Sequence, residues 1–150
     1  MGFRIEWTIE GEKQLARVLE GVRSDIKNLH APFSEIAKKL VRVYSRDVFS
    51  TEGRSINERW ARLSPYTVAQ KARLGFPADP LIRTKAMQRS FRSIVQTDSA
   101  TIYNTAEYFK YHQSNQPRKK LPRRVMMKLA EDQKTMIVRA FQKHLSKSFK

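Results

Sequence analysis

Phe3, Ile5, Trp7 and Ile9 alternate with Arg4, Glu6, Thr8 and Glu10, the two-residue period of a strand with one buried face. Gly11 closes that run and the spacing then lengthens. Leu15, Val18, Leu19, Val22, Ile26 and Leu29 fall at intervals of three and four, which predicts a helix that Gly21 weakens without breaking. Pro32 fits the first turn of a second helix, where a missing N–H costs nothing. Its apolar stripe is Phe33, Ile36, Ala37, Leu40, Val41, Tyr44, Val48 and Phe49. A connection this short makes the two helices an antiparallel hairpin.

From Ser50 to Pro80 the pattern turns irregular. Thr51, Gly53 and Ser55 mark a loop ahead of Trp60, and Gly75, Pro77 and Pro80 punctuate the far end. Between them Ser64-Pro65 reads as an N-cap with proline at the first helical position, opening a short helix to about Leu74. Thr84 to Arg89 makes another brief helix. Phe91–Thr97 and Thr101–Ala106 read as a hairpin about Asp98-Ser99. Tyr108 to Lys120 is loop-like and basic. Val125, Met126, Met127 and Leu129 suit either a short strand or the entrance to a helix, and from Glu131 a last helix carries Met136, Ile137, Ala140, Phe141 and Leu145 on one side. The fold expected is α+β: an N-terminal strand and helical hairpin, a small antiparallel sheet with a hairpin near 91–106, and a C-terminal helix. The chain of 150 residues suits one domain with one modest core. The expected mobile segments are Ser50–Asn57, Asn115–Lys120 and the basic tail Ser146–Lys150.

Charge changes the picture more than composition does. Thirty Lys and Arg against 14 Asp and Glu leave +16, a statement about partners, not about fold. Residues 1–75 hold 14 basic and 9 acidic side chains, and residues 76–150 hold 16 and 5, so the second half carries +11 against +5. Lys110, Arg118, Lys119, Lys120, Arg123, Arg124 and Lys128 follow one another without a carboxylate after Lys110. Such a run suits DNA phosphates or an acidic protein, and the duller alternative is a solvated loop. With Lys143, Lys147 and Lys150 these residues are the candidates for a partner-facing or DNA-facing surface. No cysteine is present, which removes disulfides and thiolate-bound zinc. No apolar run approaches the roughly 20 residues of a membrane span. Arg4 and Glu6 interrupt any secretory signal, so synthesis in the cytoplasm is expected.

Catalytic groupings do not emerge. His30, His112 and His144 lack metal-ligand spacing, five glycines form no phosphate loop, and the acids do not cluster as a two-metal nuclease requires. Glu131-Asp132 is justified by the helix dipole at a helix start. No enzyme, metal or cofactor is expected. A nuclease remains the enzymatic alternative.

Four islands recur in a fixed order: Trp60-Ala61-Arg62-Leu63-Ser64-Pro65-Tyr66-Thr67 with Lys71, Pro80-Leu81-Ile82-Arg83-Thr84 with Ser90, Tyr108-Phe109-Lys110-Tyr111-His112-Gln113, and Leu121-Pro122-Arg123-Arg124. Over about residues 50–130 they resemble the phage virion morphogenesis family. Trp60, Leu63, Ser64, Thr67, Lys71, Leu81, Arg83, Thr84, Tyr108, His112, Gln113, Pro122 and Arg124 match its pattern. Lys85 stands where that pattern has glycine, and Ser114-Asn115 replaces an apolar-Gly pair. Asn115 can take a left-handed turn in place of glycine.

The resemblance implies a small α+β tail-completion protein acting at the neck or tail terminus of a tailed phage. It implies a homo-oligomeric ring, with the tail terminator and head–tail connector as partners and a place in the virion. A basic rim there would face either exiting DNA or an acidic neighbouring ring. The alternative is a basic nucleic-acid-binding protein with no virion role. Among the motif residues, Trp60 reads as a core anchor sooner than a hot spot, and Arg83 as a tie on the preceding loop. His112 and Gln113 read as backbone hydrogen-bonders that fix the basic loop.

Overall fold

A computed structural model describes residues 4–7 by their backbone, and residues 28–115 and 119–147 in full. The expected helix from Glu12 lies outside the described residues, except for Leu29, and so does the hairpin it would form. Arg118 and Lys150 lie outside them too.

The expected α+β architecture is present. Strands β1 (Arg4–Trp7), β2 (Phe91–Val95) and β3 (Ala100–Asn104) form an antiparallel sheet in the order β1-β3-β2. The N-terminal strand thus pairs with β3, Ile5 opposite Ile102. The hairpin runs from Phe91↔Asn104 to Val95↔Ala100, and its turn is closed by Gln96 N donating to Ser99 O at 2.8 Å. Both strands stop short of the sequence expectation because other elements capture their ends. Leu29 N donates to Thr97 O at 2.8 Å, and the Asn104 side chain donates to Met87 O at 2.8 Å and accepts from Ala106 N at 2.9 Å. Along β3, Ala100, Ile102 and Asn104 are buried, and this face meets α1.

Helix α1 (His30–Arg42) continues through a π-helical turn (Val43–Asp47) and a last α turn (Val48–Ser50). Pro32 sits in the first turn as expected. The buried stripe contains Ile36, Leu40, Tyr44 and Val48, a strict four-residue spacing. On an ideal α-helix that spacing drifts by about 40° a step. The wider π turn takes the drift back, so Tyr44 and Val48 still face the core. Phe91 then gathers the rings of Tyr44, Phe49 and Phe109 at centroid distances of 6.2, 6.3 and 5.8 Å.

Helix α2 (Pro65–Arg73) starts as predicted, Ser64 Oγ accepting from Thr67 N at 3.2 Å. Helix α3 (Ala86–Arg89) follows, and α4 (Phe109–Gln113) is a single turn within the stretch expected as loop, held by the fully buried Phe109. Helix α5 (Glu131–Ser146) packs on α1, with Phe141 edge-on to Phe33 at 5.0 Å. Its Gln133 accepts from Ala130 N at 2.7 Å, one arm of a capping box in which Ala130 offers no side-chain acceptor. Before it, residues 125–130 are neither strand nor helix.

The 51–57 segment is closely hydrogen-bonded. Ile56 is fully buried, Gly53 N donates to Val48 O at 2.8 Å, and Trp60 N donates to Glu52 O at 2.9 Å. Gly53 has φ +83°, and a Cβ there would stand 1.8 Å from Glu58 O. Lys85, where the resembled pattern has glycine, takes the left-handed conformation that glycine favours, at φ +62°. The lysine bears the strain of that turn.

Lys85→Gly is therefore expected to stabilise the fold by roughly 0.5–1 kcal/mol, and Gly53→Ala to destabilise it by more than about 2 kcal/mol, both read by urea unfolding. A second expectation concerns pH. Tyr44 is fully buried and its hydroxyl donates to Lys128 O at 3.2 Å, so burial, with a smaller contribution from Asp132, raises its pKa well above the usual tyrosine value. The folded state then holds the phenol proton more tightly than the unfolded chain. That stabilisation is complete below about pH 10 and is lost as pH climbs through the folded value. Tyr44→Phe should flatten this part of the alkaline stability curve, and an unchanged slope would refute the assignment.

Candidate assembly surface

Several motif side chains act on backbone. Long irregular segments leave peptide groups without ladder partners, and buried ones need other donors and acceptors. Trp60 is buried, edge-on to Phe49 at 5.3 Å, and its Nε1 donates to Val125 O at 2.7 Å. Arg124 returns the contact: Nε donates to Ala61 O at 2.9 Å and a terminal nitrogen to Arg62 O at 3.3 Å. Gln113 accepts from Met126 N at 2.9 Å and Met127 N at 3.2 Å, and donates to Met127 O at 2.7 Å. The carbonyl of His112 accepts from Arg124 N at 3.1 Å. Lys71 Nζ donates to Asp79 O at 2.6 Å and Ile82 O at 2.7 Å, gathering the loop between α2 and α3. Burial holds the Lys71 ammonium and the Arg124 guanidinium below their ordinary pKa values, Asp79 partly opposing the shift at Lys71. An arginine so shifted remains a cation.

The tie expected of Arg83 belongs to Lys71 instead. Arg83 is exposed and lies over the Phe76 ring at 4.6 Å. Leu63 and Leu81 are half-buried, Leu81 with φ +61° against the core, while Thr84 and Pro122 are exposed.

The basic candidates do not form one surface. Arg124 is only 4% exposed and spends its donors on carbonyls, so it leaves the partner-facing set. Lys128 pairs with Glu58 at 2.7 Å. Lys110, Lys119, Lys120 and Arg123 are exposed, Arg123 reaching Gln113 O at 3.3 Å. Lys143 and Lys147 are exposed near the other end of α5, whose 16 residues span about 24 Å. There they add to the effect of Lys39, whose hydrogen bond and charge lower the Glu35 pKa.

Apolar exposure is the feature that sequence reasoning missed. Helix α2 buries no residue, and Tyr66 and Leu74 are 78% and 53% exposed. Tyr108 and Tyr111 are exposed beside Lys110. A signal existed: Val68, two residues from Tyr66 and six from Leu74, is off the three-and-four spacing, so no single helix face could bury all three together. Arg124 fastens 121–124 to the chain entering α2, bringing the basic loop and this helix into one region.

Exposed aromatic side chains such as Tyr66, Tyr108 and Tyr111 are of the kind enriched at protein interfaces. The chain belongs to the phage virion morphogenesis family, whose model matches residues 11–146, and that membership points to a structural protein of the virion that works with other virion proteins. The match extends well beyond the motif islands. No curated protein and no solved structure matches the chain significantly. Among the described residues, no three His, Asp or Glu side chains stand together as a metal site, and no helix is long and apolar enough to cross a membrane.

Gln113→Ala strands two backbone N–H groups and a carbonyl. It is expected to cost about 2–3 kcal/mol in urea unfolding, against less than about 0.5 kcal/mol for Lys119→Ala. Arg124→Lys keeps the charge but loses the fork; rescue to wild-type stability would show that charge, not geometry, matters there.

Proposed function

We propose that this chain is a tail-completion subunit, acting at the neck or tail terminus of a tailed phage and assembling as a ring that joins tail to head. The tail terminator and the head–tail connector are its partners. The observation that carries this reading is membership of the virion morphogenesis family over residues 11–146, combined with an exposed α2 next to the basic loop 119–123. Ring building repeats one heterologous contact about an axis, which needs an exposed apolar element held rigidly on one side of the subunit. Helix α2 supplies such an element: Ser64 caps it, Lys71 ties it to the following loop, and its outer side chains touch no core.

Purified protein added to tails made without it should restore joining to heads, and mass-resolved sizing should show a ring either alone or on the tail end. Tyr66→Ala with Leu74→Ala should leave the monomer folded and lower restored infectivity by about tenfold or more, as loss of interface anchors does. Protein that ignores such tails would sink the proposal.

A further inference from the structure

A second basic surface lies away from the loop 119–123. Arg46 from the π-helical turn, Lys85 from the strained turn, Arg89 from α3 and Arg92 from β2 line one shallow groove with Ser45 and Gln88. No carboxylate lines it. All four cations are exposed, and none is ion-paired with a described residue. Arg92 is held in place, one terminal nitrogen donating to Arg89 O and Phe91 O, each at 2.8 Å. Lys38 and Arg42, both exposed, precede Arg46 at four-residue intervals on α1, about 6 Å apart along the axis, and extend the positive row.

We propose that this groove binds the phosphate backbone of duplex DNA. Two uncommon backbone conformations converge on it, the π turn that carries Arg46 and the left-handed residue that carries Lys85. At Lys85 the fold tolerates strain that glycine would remove, and what it gains is a cation at the groove. Guanidinium forks suit phosphate oxygens, and three of the four cations are arginines. An acidic peptide fits less well. Its binding needs an apolar anchor pocket, whereas Phe91 is 3% exposed and Val41 is the other apolar lining residue. The positive surface has a limit: the adjoining cleft, which shares Arg46 and Lys85, carries Asp47, Glu52 and Asp79. The site stands independently of the tail-completion reading.

Fluorescence anisotropy with a labelled duplex, titrated at several salt concentrations, tests this on the full chain. Wild-type protein is expected to bind unrelated duplex sequences alike, with affinity falling steeply as salt rises. Arg46→Gln with Arg89→Gln should weaken binding by about tenfold or more and lower the log–log salt slope by about 2, roughly one for each phosphate contact. Lys85→Gly gives the sharper result, because it should lower the slope by about 1 while raising the unfolding midpoint. A merely structural lysine would not separate the two readouts in that way. Lys119→Gln with Lys120→Gln serves as the matched-charge control.

Several results would overturn the proposal. They are salt-insensitive or absent DNA binding, groove variants that bind like wild type, and a loss confined to the Lys119/Lys120 control. Poly-glutamate held more tightly than duplex DNA, and released by the groove variants, would assign the groove to an acidic protein instead.

Discussion

Trp60 and Arg124 lie more than sixty residues apart, and each donates to the backbone beside the other. The indole reaches Val125 O, and the guanidinium reaches Ala61 O and Arg62 O. Neither segment belongs to a helix or strand, so neither has ladder partners of its own. A buried peptide group left unpaired costs about 1–3 kcal/mol, which makes this reciprocal bond a condition for the irregular half of the chain to be ordered. Gln113 applies the same device to Met126 and Met127, and Tyr44 extends it to Lys128 O. The extended run before α5 is thus stitched to α1, α4 and the Trp60 loop by side chains.

That stitching bears on function because it fixes what stays outside. Helix α2 hangs from a capped start and a lysine-bound exit, with its apolar residues in solvent. Tyr108 and Tyr111 flank Lys110 on a turn anchored by buried Phe109. Side chains held in place before docking lose less freedom when a partner arrives, so a clamped exposed surface binds better than a loose one of equal area. On the proposed assembly role, the motif residues that bind backbone would serve indirectly, by ordering the chain that carries the contacts.

Periodicity made the regular elements legible. The α1 stripe, the Ser64-Pro65 start and the hairpin are local patterns, and each is where its spacing placed it. What local pattern could not contain was the partner of each clamp. Arg123 and Arg124 are neighbours of identical type; one is exposed and the other is buried against Ala61 and Arg62, and only the tertiary fold distinguishes them. The tie expected of Arg83 falls to Lys71 for the same reason, since the carbonyls that need a donor are defined by how the loop returns to α2. The π turn was invisible because a four-residue spacing fits a drifting α-helix nearly as well.

Net charge hides this division of labour. A total of +16 treats all cations alike, yet the fold assigns them to different tasks. Arg124 and Lys71 sit on carbonyls at the expense of hydration, which is why burial depresses both of their pKa values. Lys128, Lys39 and Lys134 are matched to carboxylates. In the groove beside α3, Arg92 holds the carbonyls of Arg89 and Phe91, none of the four cations is paired with a carboxylate among the described residues, and Arg46 of the π turn joins three cations of the single stretch 85–92. Like charges held this close repel one another. A polyanion of the proposed kind would neutralise them, and the backbone strain at Lys85 falls on that same groove.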